Sequence, residues 1–131
     1  MSSQTASTLR PLALIVDNDG DTREMYSTHL SWHGMGVVEA QSGEDAIEMA
    51  KTFLPDVITT DLGLGDFAGT ILCARLKDDH ATKDIPVIAV TGRAMPHEVT
   101  AALAAGCVSV LPKPCLPETL LSEIRRVLSL S

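Results

Sequence analysis

Aromatic residues are nearly absent from this chain: one Trp, one Tyr and two Phe make up 3% of it. Surfaces that hold single-stranded nucleic acid stack bases on aromatic rings, and this chain has almost none to offer. Its core must be built from Leu, Ile, Val, Ala and Met. Positive charge is scarce as well. Ten Lys and Arg stand against 17 Asp and Glu, for a formal net charge of -7. An acidic domain is repelled by nucleic acid and by anionic membrane surfaces, so neither is expected as a direct partner. The local basic pair Arg125 and Arg126 reads as a solvated helix face. The three cysteines, Cys73, Cys107 and Cys115, are odd in number and lack a CxxC spacing. That pattern argues against a disulfide framework and a zinc site, and suits small buried residues in a reducing compartment. No apolar run approaches the roughly 20 residues of a membrane span. The opening segment MSSQTASTLR also lacks the apolar stretch of a secretory signal. A cytoplasmic protein is expected.

What is present is enough apolar material for a core. The chain has 131 residues and 45% of them are hydrophobic, which fits one domain over residues 11–131 after a flexible tail over residues 1–10. Strand and helix patterns then alternate five times. Strands are expected at 12–16, 37–40, 56–60, 86–90 and 108–111. The first is a continuous apolar run, suited to a sheet covered on both faces. The first helix is expected from Asp21, with Asp21 and Glu24 resembling a capping box and Met25, His29 and Trp32 on one face. Ser42 is the expected cap of the second, whose stripe is Ala46, Ile47, Ala50 and Leu54. The third carries Ile71, Leu72 and Leu76. The fourth opens near Pro96, turns Val99, Ala102 and Leu103 inward, and ends at Gly106. The fifth opens at Pro117 and buries Leu120, Leu121 and Ile124. Alternation of this kind implies βαβ units and a parallel sheet.

Four of these strands end on polar residues: Asp17 after LALIV, Asp61 after DVITT, Thr91 after PVIAV and Lys113 after VSVLP. Ligands of a parallel α/β sheet bind outside the carboxyl ends of its strands, so these four groups are expected at one sheet edge. Asp17, Asn18 and Asp19 offer hard oxygen donors, suited to Mg²⁺ or Mn²⁺. A carboxylate such as Asp61 can accept a phosphoryl group as an acyl phosphate. Gly63 and Gly65 leave the backbone beside it open. The Thr91 hydroxyl has a neighbour without a side chain, Gly92. Lys113, set between Pro112 and Pro114, delivers a point charge for a phosphate from a stiff loop. Taken singly, a strand-end Asp is more often a cap or turn residue. The chemistry is carried by the set.

The segments LIVDND, PDVITTD, the loop DLGLGDFAG, IPVIAVTGRA and AAGCVSVLPKP, in this order, resemble the receiver domain of two-component response regulators over about residues 11–128. The resemblance implies a doubly wound, flavodoxin-like α/β fold with a five-stranded parallel sheet in the order 2-1-3-4-5 and helices on both faces. It implies Asp61 as acceptor of a phosphoryl group from a histidine kinase or histidine phosphotransfer protein. Mg²⁺ (or Mn²⁺) would be held by Asp17, Asn18, Asp61 and the backbone carbonyl of Gly63. Lys113 would bridge to the acceptor, Thr91 would carry the signal outward, and the Lys113–Pro114 bond would be cis. The expected protein has no output domain of its own and acts on a downstream protein target. Its enzymatic activity would extend at most to self-phosphorylation from small phosphodonors and autodephosphorylation. A homodimer formed on phosphorylation is a further expected partner.

The chain departs from the family pattern in four places. Receiver domains usually carry two adjacent acids after the first strand, and here the second is Asn18. Gly65 stands where the family often has Pro, which predicts a looser loop after Asp61. Val110 and Cys115 replace aromatic residues often found on the fifth strand and after Lys-Pro, so readout by aromatic rotation is not expected. Two other functions compete. One is a degenerate receiver used as a binding module without phosphorylation, supported by Asn18. The other is a haloacid-dehalogenase-like phosphatase, because DNDG at 17–20 resembles that family's DxDG opening, with Asp17 as nucleophile and Asp19 as general acid. The histidines His29, His33 and His97 read as packing, helix-end or exposed residues.

Overall fold

Continuous apolar strands set the centre of the fold, and their alternation decides which helix covers which face. The computed structural model describes residues 10–129. The tail expected over residues 1–10 lies, Arg10 apart, outside them. The strands are β1 (Leu12–Val16), β2 (Gly36–Ala40), β3 (Val57–Thr60), β4 (Val87–Thr91) and β5 (Ser109–Pro112). The helices are α1 (Gly20–Trp32), α2 (Gly43–Phe53), α3 (Gly69–Lys77), α4 (Pro96–Ala104) and α5 (Pro117–Val127). All pairings are parallel and the sheet order is β2-β1-β3-β4-β5, as expected. No helix among the described residues is long and apolar enough to cross a membrane.

Successive strand residues point to opposite faces, and the two faces build two cores. Leu14, Val16, Ile58, Val87 and Ala89 pack with Ala46 and Ala50 of α2, Leu72 and Leu76 of α3, and Ala102 of α4. Ala13, Ile15, Val57, Ile88 and Val90 pack with Tyr26 and Leu30 of α1 and Leu120, Leu121 and Ile124 of α5. Each fully buried Leu or Ile contributes about 1.5–3 kcal/mol by leaving water. The cores therefore hold the sheet, and the site at its end rests on a rigid frame.

Several boundaries differ from those read off the sequence. The cap of α1 is Asp19, whose carboxylate accepts from the Thr22 N–H at 3.1 Å; the expected box at Asp21 and Glu24 is not used. A cap needs extended backbone just before the first helical turn, and Asp19 has it. Ser42 caps α2 as expected, accepting from Asp45 N at 3.2 Å. Leu103 faces outward, 48% exposed, because α4 meets the sheet mainly through Ala102. Met25 and Trp32 do share a face of α1, but it is the solvent face, with Trp32 86% exposed.

The last helix is tied to the edge strand through charge. Glu123 accepts from the Ser109 hydroxyl and from the Arg126 guanidinium, whose Nε lies at 2.9 Å. The Arg126 hydrogen bond first, and then Ser109, pull the Glu123 pKa down to about 2. A carboxylate depressed on folding adds stability above its unfolded pKa, and that stability is lost as pH falls through the folded one. Wild type is therefore expected to lose a stability increment between about pH 4.5 and pH 2 that Glu123→Gln lacks. Urea unfolding across that window checks it; parallel pH curves for the two proteins would rule it out.

Candidate functional site

Strand register brings the polar strand ends to one level. Val16 pairs with Thr60, so Asp17 and Asp61 follow side by side. Thr91 pairs with Pro112, so Lys113 comes next beside them. Backbone hydrogen bonds continue past the strand ends and pin these residues: Asp61 N donates to Val16 O at 3.0 Å, and Lys113 N to Thr91 O at 2.7 Å. The Lys113–Pro114 bond is cis, as the resemblance implied.

The centre of the site is a three-residue charge cluster. Lys113 Nζ lies 3.0 Å from Asp17 Oδ2 and 3.1 Å from Asp61 Oδ2. Asp17 is buried, and its other oxygen accepts the Asp19 N–H at 2.9 Å. Asp61 is partly open, and its second oxygen has only a long 3.3 Å contact from Gly63 N. Burial draws the Lys113 pKa down, but the hydrogen bonds and charges of Asp17 and Asp61 outweigh it and leave the ammonium above its ordinary value. The lysine stays charged throughout the physiological range. Two carboxylates against one ammonium leave one net negative charge at the mouth.

A cavity of about 440 Å³ opens in front of this cluster, bounded by Asp61, Gly63, Thr91, Arg93, Glu98 and Lys113. Thr91 is buried, and its hydroxyl oxygen accepts the Arg93 N–H at 3.1 Å. Asn18 is exposed, and its amide nitrogen lies 3.9 Å from where a side chain on Gly65 would begin. The amide thus reaches from the first strand end towards the loop after Asp61. A side chain at Gly63 would meet nothing within 4 Å, so space beside that backbone is free. Among the described residues no three His, Cys, Asp or Glu side chains converge as a ready-made metal cage. The donors that would serve a metal are instead the Asp17 and Asp61 carboxylates, the Asn18 amide and the Gly63 carbonyl. This fits Mg²⁺, which takes hard oxygen ligands, keeps several waters and is bound through one or two carboxylates. A larger hollow of about 790 Å³ lies on the outer face of α1 by Met25, His29, Trp32 and Pro117. No Lys or Arg lines it, so the charge chemistry belongs to the smaller cavity.

Other residues hold the site in place, and their types and spacing carry little signal of it. Arg23 donates to the backbone oxygen of Asp17 at 2.6 Å and pairs with Glu39 at 3.2 Å, fixing the first strand end from α1. The Tyr26 hydroxyl donates to Cys115 O at 2.8 Å, linking α1 to the Lys113 loop. Burial is the main cause that raises its pKa to about 12. The loop after Asp61 is tied to α2 by two residues. Asp66 accepts the Gly43 and Glu44 N–H groups, each at 3.0 Å, and so caps α2 from outside. Those two bonds also hold its carboxyl pKa below the ordinary range. Phe67 packs against Gly43, where any side chain would begin 2.4 Å from its ring, and Arg75 sits over that ring at 4.6 Å. An Asp six residues after a strand gives no signal of a cap for a distant helix.

The family model described as the response regulator receiver domain matches residues 13–125. The response regulator MprA of Mycolicibacterium vanbaalenii is 33% identical over 115 residues, which cover 88% of this chain and 49% of that protein. The chain thus spans about half the length of the curated relatives it matches. Among solved structures, the chemotaxis response regulator CheY4 of Vibrio cholerae superposes with a TM-score of 0.85 at 29% identity, covering 90% of this chain and 98% of the other. A CheY-like receiver domain protein from Methanospirillum hungatei gives 0.86 at 25%, covering 92% and 94%.

Proposed function

The chain belongs to the response regulator receiver domain family, and on that premise we propose that residues 11–131 form one receiver domain that accepts a phosphoryl group on Asp61. The donor is a phosphohistidine on a histidine kinase or phosphotransfer protein. A carboxylate oxygen of Asp61 attacks phosphorus, the P–N bond breaks, and the imidazole leaves with the electron pair and takes up a proton. The observation that carries this is the Lys113 ammonium held within hydrogen-bond reach of both Asp17 and Asp61. It neutralises charge on the reacting oxygens without reorganisation during transfer. Asp17, Asn18, Asp61 and the Gly63 carbonyl would hold Mg²⁺, which when bound neutralises the phosphoryl oxygens. Thr91 and the segment leading to α4 form the element that phosphorylation biases. The altered surface then acts on a protein target in the cytoplasm, with the α4–β5–α5 face as the expected contact, including for a homodimer.

The geometry favours Asp61 over Asp17 as acceptor. Asp17 has both oxygens engaged and is buried. Asp19, the general acid of a phosphatase mechanism, spends its carboxylate on the α1 cap, and the Thr22 hydroxyl lowers its pKa. A general acid needs the opposite shift. The test is intact mass after incubation with acetyl phosphate: one phosphate adduct is expected with Mg²⁺ and none with chelator. Failure to form it under any condition would leave the degenerate binding module in place.

Asn18 lowers the charge of the donor set by one. Metal affinity follows the number of charged ligands, so Asn18→Asp is expected to bind Mg²⁺ about tenfold more tightly than wild type by calorimetry. Equal affinities would show that the amide costs nothing.

A further inference from the structure

We propose that Arg93 is a phosphoryl ligand held in reserve by Glu98, the two forming a latch across the acceptor cavity. This rests on Asp61 being phosphorylated. Both residues border the cavity that Asp61 and Lys113 also line. Arg93 Nε lies 3.2 Å from Glu98 Oε2, with the arginine side chain 83% exposed and Glu98 21% exposed. The other Glu98 oxygen is buried without a hydrogen-bond partner, and only His97 approaches it, at 3.9 Å. The cavity wall thus carries a second carboxylate beside Asp61, and one of its two oxygens is buried and unsatisfied.

Charge decides what such an arrangement does. Lys113 is already committed to Asp17 and Asp61. Of the charged residues bordering the cavity, Arg93 is the other cation. Its pair with Glu98 is open to solvent at the arginine end, which keeps the pair weak. A guanidinium on a phosphoryl group makes charge-assisted, bidentate bonds that are stronger. Glu98 tolerates the loss because it lies in the first turn of α4, where the helix N-terminus favours a carboxylate. The backbone of Arg93 is also tied to Thr91, whose hydroxyl accepts its N–H. Closing the latch therefore couples the phosphoryl group to Thr91 and to the start of α4 through one residue. Arg93 is the ligand, and Glu98 is a positioning residue that sets how readily Arg93 is released.

The test uses beryllofluoride with Mg²⁺ as an acyl-phosphate mimic, and reads its apparent affinity by calorimetry. Arg93→Ala is expected to weaken binding about tenfold, the size of one lost charge-assisted hydrogen bond. Glu98→Gln is expected to tighten it by about threefold to fivefold, since an ion pair no longer has to open. The double variant separates a ligand from a shield. If Arg93 binds the phosphoryl group, Arg93→Ala weakens binding by about 30- to 50-fold in the Glu98→Gln background, where the guanidinium is already released. If Arg93 only neutralises Glu98, that loss vanishes once Glu98 is Gln, and the latch is overturned. Equal affinities of wild type and single variants overturn it too, with the receiver function intact. Wild type that binds no beryllofluoride overturns the phosphoacceptor function and the latch together.

Discussion

Asp61→Asn is expected to remove every trace of phosphate adduct from this protein while leaving its fold intact. The amide has nearly the shape of the carboxylate but no anionic oxygen to attack phosphorus, so the loss is complete. Stability is expected to hold or rise. In the resting cluster Lys113 neutralises one of two carboxylates 3.0 and 3.1 Å away, and removing the surplus charge relieves repulsion between the acids. Asp17→Asn gives the contrast. It keeps the nucleophile and loses a metal ligand and a Lys113 partner, so the expected result is an adduct formed more slowly by about 10²-fold, the size of one lost electrostatic contact in a preorganised site. Intact mass and rate of adduct formation, with Mg²⁺ and with chelator, read both variants. If Asp17→Asn abolished the adduct and Asp61→Asn kept it, the acceptor would be Asp17 and the phosphatase-like mechanism would stand.

The contrast also shows why some of this site was legible in the sequence. In a parallel sheet a polar residue closing an apolar strand has one place to go, the carboxyl edge. Asp17, Asp61, Thr91 and Lys113 could be placed together from sequence because every strand of a parallel sheet ends at that same edge. Sheet order was legible for a different reason, the resemblance carried by LIVDND and LPKP. What was not legible depends on where a side chain goes after leaving its own element. Asp66 caps a helix 22 residues earlier in the chain. Glu98 turns back to the acceptor cavity, and Leu103, apolar and at helical spacing, points to solvent because α4 touches the sheet along a narrow strip. The missed cap of α1 has the same origin. Asp19 and Asp21 are both acceptable caps by type, and only the extended backbone at Asp19 decides between them.

Gly69→Ala is expected to destabilise the protein strongly and to disturb the acceptor at the same time. By helix propensity alone the change should help, since Ala is favoured over Gly by about 1 kcal/mol inside a helix. Gly69 is the first residue of α3, where that gain is smallest. Against it stands a contact that cannot be relieved cheaply. A methyl group there would begin 2.4 Å from the backbone oxygen of Asp61 and 2.9 Å from the Cα of Leu62. Gly43 offers a comparison, because a methyl there meets the Phe67 ring, also at 2.4 Å, and a ring at the end of a side chain can turn away. The peptide after Asp61 has no such freedom. Asp61 N is bonded to Val16 O, its carbonyl accepts from the Thr60 hydroxyl, and Leu62 O accepts from Gly69 N. Relief must come from moving α3 away from the sheet or moving Asp61 itself. Overpacking of this kind costs about 1–3 kcal/mol and more where backbone must shift, so a net loss of about 3 kcal/mol is expected in urea unfolding for Gly69→Ala, and a smaller one for Gly43→Ala. Among molecules still folded, phosphorylation should also slow, because the displaced atoms are those that set the Asp61 carboxylate against Lys113. A Gly69→Ala protein as stable as wild type, with an unchanged rate of adduct formation, would mean that α3 yields easily and that the close approach at Asp61 positions nothing.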